Sequence, residues 1–126
     1  MKVLSPIAAA AVALMCTAAG QAAPDPLTRP LPANPDWLKP QAPVQIHGNT
    51  YYVGTAALSI ALIDTGQGLI LVDGALPQTV EATKANIRRL GFRIEDVRYI
   101  LYTEAHFCHS GGLGALARDS RATGIA

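Results

Sequence analysis

Residues 97–112 read VRYILYTEAHFCHSGG and join an apolar strand to four side chains that can bind a divalent metal. The apolar run predicts a strand over residues 97–103, and the four donors follow within six positions: Glu104, His106, Cys108 and His109. A helix is predicted next, over residues 113–118. A strand and a helix that flank a short loop fix both of its ends, which is an economical way to build a metal site. Carboxylate, imidazole and thiolate donors suit zinc better than calcium or magnesium, which prefer oxygen.

The segment before this stretch alternates strand and helix signals. Strands are predicted over residues 46–53, with a turn at Asn49-Thr50, and over residues 57–64 and 69–73, joined by a hairpin at residues 65–68. The continuous run LILV at residues 69–72 predicts a strand that is covered on both faces. Apolar residues at helical spacing predict a helix from Pro77 to about Leu90, which Gly91 ends. This alternation predicts an α/β fold.

Composition limits the class of protein. The chain has 126 residues, half of them apolar and 15% charged, which is typical of one globular domain. The formal net charge of +1 gives no electrostatic reason to expect nucleic acid or an anionic membrane as a partner.

The N-terminus has the features of an export signal. Lys2 precedes an apolar run at residues 7–19 that is too short to span a bilayer, and small residues follow it. We therefore expect residues 1–23 to be a cleaved signal peptide, the mature protein to be periplasmic, and no membrane contact after cleavage. Cys108 is then the one cysteine left, and it serves as a metal ligand, a reactive thiol or an intermolecular crosslink.

Residues 24–43 are rich in proline, and we expect an extended arm that Trp37 and Leu38 anchor onto the core. Residues 44–126 form the predicted folded unit. Single histidines, cysteines and glutamates are most often structural or solvated, so the metal prediction depends on their grouping. Asp73, at the end of a predicted strand, either caps a turn or supports a metal ligand. His47 is interpreted as structural.

The order of these features resembles a known family. The segments Val72-Asp73-Gly74-Ala75-Leu76-Pro77-Gln78 and Leu90-Gly91-Phe92-Arg93-Ile94-Glu95-Asp96-Val97, followed by Ala105-His106-Phe107 and Gly111-Gly112, are similar to the N-terminal half of the metallo-β-lactamase superfamily. Within it, the resemblance is to class B β-lactamases of subclass 3 and runs from about residue 37 to 126. It implies that residues 44–126 form one half of an αββα sandwich.

The family motif is His-x-His-x-Asp-His, and this chain departs from it twice. Glu104 stands at the first histidine and Cys108 at the aspartate, whereas His106 and His109 match. The resemblance implies two zinc ions, with positions 104 and 106 serving the first and 108 and 109 the second, and a β-lactam as substrate. It also implies a further histidine for each zinc from a second half. No histidine follows His109, so we expect a truncated product or a fragment that binds one zinc or none.

Three functions are compatible with these residues. The first is a zinc-dependent β-lactam hydrolase that the changes at Glu104 and Cys108 impair by more than ~100-fold. The second is another hydrolase of the same superfamily, such as a lactonase or a glyoxalase-II-like thioesterase. The third is a non-catalytic metal-binding or inert half-domain. No catalytic residue beyond the four candidate ligands is assigned.

Overall fold

The computed structural model describes residues 23–126, so the predicted signal peptide lies outside the described residues apart from Ala23. The strands and helices follow the order β1 Val44–His47, β2 Thr50–Tyr52, β3 Ala61–Asp64, β4 Leu69–Val72, α1 Val80–Arg89, β5 Val97–Leu101, α2 Phe107–Ser110, α3 Leu113–Ser120 and β6 Thr123–Ile125. Strands alternate with helices after β4, which confirms the α/β prediction.

The six strands form one mixed sheet in the order β1-β2-β3-β4-β5-β6. The pairs among β1 to β4 are antiparallel, and those of β4 with β5 and of β5 with β6 are parallel. Each parallel pair needs a crossover, which α1 supplies between β4 and β5, and α2 with α3 between β5 and β6. The sheet therefore changes from hairpins to crossovers at β4.

Helix α1 begins and ends near the predicted positions. Pro77 opens a 3₁₀ turn, Pro77–Thr79, because its missing N–H costs nothing in a first turn. Val80, Thr83 and Ile87 then recur at helical spacing, and all three are buried. Gly91 follows the helix at φ +87°, a conformation that favours glycine. The basic side chains of the last turn lie where the helix dipole favours positive charge.

The core lies on one face of the sheet. Leu62, Leu71 and Ile100 are laterally paired on neighbouring strands and buried, and they pack with residues of α1 and α3. Their neighbours along the strands point to the opposite face, because successive side chains alternate. The side chains of this face are partly buried or exposed, and they include Ile63, Ile70, Val72, Tyr99, Leu101 and Ile125.

This one-sided core corrects one prediction. The run LILV does not lie between two covered faces: Leu69 and Leu71 are buried, whereas Ile70 and Val72 are only partly buried. An unbroken apolar run does not distinguish a strand covered on both faces from one that has a second, uncovered apolar face.

Two other local predictions need correction. The strand predicted over residues 57–64 begins only at Ala61, because the chain closes a tight loop in which Thr55 N donates to Leu58 O at 3.0 Å. The first hairpin turns at Gly48 and Asn49 rather than at Asn49-Thr50, since Gly48 takes the positive φ of +52° that the turn requires. Strand β6 was not predicted.

The proline-rich arm packs along the fold with two short 3₁₀ turns, Pro26–Thr28 and Pro35–Leu38. Asp25 and Asn34 cap these turns through their side chains, and each turn opens with a proline. Trp37 packs against the core as expected, whereas Leu38 is 42% exposed and does not.

Candidate metal centre

The candidate site lies where the parallel strands β4 and β5 end. Val72 and Leu101 are paired across these strands, and Asp73 N donates to Leu101 O at 2.7 Å. Asp73 follows β4 directly, and Thr103 lies two residues beyond β5. Because the carboxyl ends of parallel strands meet at one edge of a sheet, side chains 30 residues apart in sequence come into contact.

The loop after β4 has a strained backbone that is held by the loop after β5. Asp73 and Ala75 adopt positive φ angles of +67° and +49°. Gly74 N donates to His109 O at 2.7 Å, and Gly112 N donates to Ala75 O at 2.9 Å. A Cβ on Gly112 would lie 2.2 Å from Gly74 O, so only glycine permits this approach.

The donor loop, residues 104–109, is shaped by hydrogen bonds from the main chain and the hydroxyl of Ser110. Ser110 N donates to His106 O, and Ser110 Oγ donates to the carbonyl oxygens of Ala105 and His106 at 2.9 and 3.1 Å. The short helix α2 then begins at Phe107. None of these bonds uses the side chains of the four candidate donors.

Three of the four predicted ligands converge. One donor atom from each of Glu104, His106 and Cys108 lies within 4.8 Å of the other two. His106 Nδ1 and Cys108 Sγ are 2.8 Å apart, close enough to share a proton. Glu104 and His106 are exposed and Cys108 is partly buried, so the group opens to solvent.

The fourth predicted ligand, His109, is held from the side of the core. Its Nδ1 lies 2.9 Å from Asp73 Oδ2 and 3.3 Å from Thr103 Oγ1, and its Nε2 lies 3.2 Å from Glu104 Oε1. An ionised carboxylate only accepts hydrogen bonds, so Nδ1 carries the proton of this contact. The ring is thereby fixed with Nε2 facing Glu104.

Asp73 has both of the roles that the sequence left open: it caps a turn and it supports a candidate metal ligand. Its side chain accepts bonds from the Thr103 N–H at 2.8 Å and from the Thr103 hydroxyl, which closes the turn, and it also orients His109. Burial raises the pKa of Asp73, but the hydrogen bonds from His109 and Thr103 outweigh it, so this pKa lies below its ordinary value. Asp73 is therefore an anion at neutral pH.

Sequence reasoning missed two residues of the site. Thr103 was placed at the end of a strand, but both its N–H and its hydroxyl bind Asp73. Phe107 packs beside His106, with ring centroids 4.6 Å apart, and also faces Trp37 at 6.4 Å. Because Thr103 directly precedes Glu104, the sequence could have indicated that Thr103 belongs to the site. The contact of Phe107 with Trp37 joins residues 70 positions apart, and no sequence pattern indicates it.

The donor set fits zinc by its chemistry. A carboxylate, two imidazoles and a thiol are the ligand types that zinc takes, and zinc has no strong geometric preference of its own. In the described part of the chain, no lysine or arginine forms an ion pair with these side chains. His47 takes no part, because it is exposed on the edge strand β1.

The helices within residues 23–126 are all too short or too polar to cross a membrane.

This chain is similar to known proteins in sequence and in fold. A family model described as the metallo-beta-lactamase superfamily matches residues 48–126. A solved structure described as the first B3 metallo-beta-lactamase with an active-site glutamic acid is 52% identical with a TM-score of 0.80, and the match covers 82% of this chain and 40% of that one. BJP-1, a subclass B3 metallo-beta-lactamase of Bradyrhizobium japonicum, is 41% identical with a TM-score of 0.71, over 73% of this chain and 35% of that one.

Rm3 metallo-beta-lactamase gives a similar match, with 48% identity and a TM-score of 0.69 over 71% of this chain and 33% of that one. The chain thus spans about 40% or less of the solved chains that it matches. Its mixed sheet and helices correspond to a partial version of their fold.

Proposed function

This chain belongs to the metallo-beta-lactamase superfamily, and we propose on that premise that it carries the metal-binding part of a zinc-dependent β-lactam hydrolase of the subclass B3 type. The observation that carries the proposal is the convergence of Glu104, His106 and Cys108 within 4.8 Å, with His109 Nε2 3.2 Å from Glu104. The resemblance of the motif to that of the family implies that a metal is held at these positions.

The chain's own residues hold and orient the centre. Asp73 fixes the His109 ring through Nδ1 at 2.9 Å, so that Nε2 faces the other donors. Ser110 and the short helix α2 hold the loop from which His106 and Cys108 project. When bound, zinc supplies Lewis acidity toward a carbonyl oxygen and makes water acidic enough to ionise near neutral pH.

Two residues set the strength of this chemistry. Glu104 replaces a neutral imidazole with an anion, so it lowers the net positive charge at a bound metal and its power to acidify water, whereas a Cys108 thiolate keeps the charge of the aspartate that it replaces. A solved B3 metallo-beta-lactamase that is 52% identical to this chain is described as having an active-site glutamic acid, which supports Glu104 as a member of the proposed site. Cys108 is the stronger departure, because sulfur offers no second oxygen to orient water.

The proposal includes export to the periplasm, where β-lactams act on the cell wall. It rests on the basic start and short apolar run within residues 1–23. Detection of the chain, cut near residue 23, in a periplasmic extract supports it, and recovery of the uncut chain from the cytoplasm contradicts it.

The experiment restores the family motif in this chain. The full chain with Glu104→His and Cys108→Asp, purified with zinc, is compared with the unchanged chain for hydrolysis of a chromogenic cephalosporin and for metal content. We expect no detectable hydrolysis by the unchanged chain and chelator-sensitive hydrolysis by the double variant, a gain of at least ~100-fold.

Two results would contradict the proposal in different ways. A double variant that binds zinc and hydrolyses lactones or thioesters but no β-lactam belongs to another hydrolase class of the superfamily. Failure of both forms to bind zinc, with an unchanged circular dichroism spectrum, identifies a non-catalytic domain.

A further inference from the structure

The four donors do not divide in the way that the family motif implies. The motif assigns positions 104 and 106 to one metal and 108 and 109 to another. In this structure, Cys108 lies with Glu104 and His106 in one group, and His109 lies outside that group with both ring nitrogens in contact with carboxylates. The substitution of cysteine at position 108 thus coincides with a different grouping of side chains.

We propose that Glu104, His106 and Cys108 form a single binding site for one thiophilic divalent cation, in which the Cys108 thiolate binds the same ion as the His106 imidazole. The inference rests on the metal centre proposed above and names its stoichiometry and its metal preference. Thiolate, imidazole and carboxylate together favour Zn²⁺, Cd²⁺ and Co²⁺ over Mg²⁺ and Ca²⁺.

The distances are compatible with such a site after a small adjustment. Bonds of about 2.0 Å to nitrogen and 2.3 Å to sulfur at tetrahedral angles place the two ligand atoms about 3.5 Å apart. His106 Nδ1 and Cys108 Sγ are 2.8 Å apart, so their separation must widen slightly when a cation replaces the shared proton. That proton leaves to solvent, because only the thiolate binds the metal.

Access and coordination number agree with this assignment. Glu104 and His106 are exposed and Cys108 is partly buried, so a cation reaches all three from solvent without opening the core. Three protein donors leave the fourth tetrahedral position to water, as in catalytic rather than closed structural zinc sites.

His109 has a different role in this arrangement. Asp73, which is only 6% exposed, accepts a hydrogen bond from Nδ1 at 2.9 Å and keeps the ring beside the β4 and β5 ends. Its Nε2 lies 3.2 Å from Glu104 Oε1, so the ring stands beside the glutamate without joining the group of three donor atoms.

Spectroscopy of the full chain with Co²⁺ and Cd²⁺ tests the grouping without relying on turnover. We expect one equivalent of Co²⁺ to bind and to produce the near-ultraviolet thiolate-to-cobalt charge-transfer band, with native mass spectrometry giving one metal per chain. Cys108→Ser should abolish the band and weaken binding by more than about 100-fold, whereas His109→Gln should retain the band and weaken binding less than Cys108→Ser does.

Cys108→Asp is the matched control, because aspartate also binds metal but gives no thiolate band. Metal binding without the band in the unchanged chain, or loss of binding in His109→Gln as severe as in Cys108→Ser, overturns the three-donor site and leaves the proposed hydrolase centre standing. Absence of Co²⁺, Cd²⁺ and Zn²⁺ binding to the folded chain overturns both.

Discussion

Asp73 combines a strained backbone with most of the polar contacts of the site. At φ +67° it adopts a conformation that aspartate and asparagine tolerate better than other side chains. Its carboxylate accepts hydrogen bonds from the Thr103 N–H, the Thr103 hydroxyl and the His109 ring. Together these bonds hold the strained backbone conformation of Asp73 in place. One side chain therefore links the loops after β4 and β5.

Graded substitutions at Asp73 should separate these contributions. Asp73→Asn keeps an acceptor for Thr103 and tolerates the positive φ but loses the charge, and we expect it to lower the free energy of unfolding by about 1 kcal/mol. Asp73→Ala removes every bond and places alanine at positive φ, so we expect about 3 kcal/mol. Urea unfolding followed by circular dichroism measures both, and equal losses would contradict the role of the hydrogen bonds.

At the residue scale, the donor cluster was predictable and its internal grouping was not. Glu104, His106, Cys108 and His109 stand close in sequence, so any tight loop brings them near one another. The Cys108–His106 contact stands beside an Asp73–His109 contact that spans 36 positions, and short-range spacing does not predict the latter.

The loop after β4 and the start of α3 pack against each other through a close contact between their backbones. Gly112 precedes α3, and the position of its missing Cβ lies 2.2 Å from Gly74 O, a backbone atom that cannot move aside cheaply. The same contact lets Gly112 N donate to Ala75 O. The Gly-Gly pair that ends the donor loop is thus a packing requirement.

Gly112→Ala should destabilise the fold and displace the donor loop. We expect a loss of about 2–4 kcal/mol, since the added methyl group must push two loops apart. Gly124→Ala is the control, because a Cβ there meets nothing within 4 Å. Thermal unfolding of the two variants measures the difference, and similar melting temperatures would show that the close approach relaxes without cost.

Helices α1 and α3 are also tied by a charged contact. Lys84 Nζ lies 2.7 Å from Asp119 Oδ2, and both side chains are less than one-fifth exposed. Hydrogen bonds from Arg118 and Lys84 hold the pKa of Asp119 below its ordinary value of 3.8, although burial opposes them. Ionisation of the Asp119 carboxyl group therefore stabilises the folded state.

Asp119→Asn should remove about 1 kcal/mol of stability at neutral pH. Because the folded pKa is lower than the unfolded one, this contribution is fully present above pH 3.8 and is lost as the pH falls through the folded pKa. Denaturation of both forms from pH 7 downward measures it, and a stability difference that persists unchanged at the lowest pH would refute the assignment.

At the element scale, long periodic segments were the predictable ones. Helix α1 and strands β4 and β5 were placed to within a few residues, because burial imposes a period on many positions at once. Strand β6, Thr123–Ile125, was not, since three residues carry no period and the strand forms only by pairing with β5. The loop before β3 was predicted as part of the strand, because its residues are mostly apolar.

The whole molecule has a core on one side of its sheet. Leu71 is fully buried against the helices, whereas Ile70, its neighbour in β4, lies on the face that is only partly covered within the described residues. The sequence predicted the α/β class and the likeness to one half of an αββα sandwich. It did not show which strand positions lacked cover, because both faces carry apolar side chains.

Paired substitutions in β4 should reveal this asymmetry. Leu71→Ala leaves a cavity in the core, and we expect a loss of about 2–5 kcal/mol. Ile70→Ala removes a side chain that is already partly solvated, and we expect about 1 kcal/mol. Denaturant unfolding of both variants gives the comparison, and equal losses would mean that the second face is covered in solution.

The hydrogen bonds that shape the donor loop do not involve the side chains that can bind a metal. Ser110, Gly74 and Gly112 fix the path of residues 104–109 without any help from the carboxylate, imidazole and thiol of Glu104, His106 and Cys108. None of those bonds is lost when one of these three is exchanged for another donor. Exchange of donors in such a loop can change the metal ion that it selects while these hydrogen bonds remain. A cysteine in place of an aspartate is one such exchange.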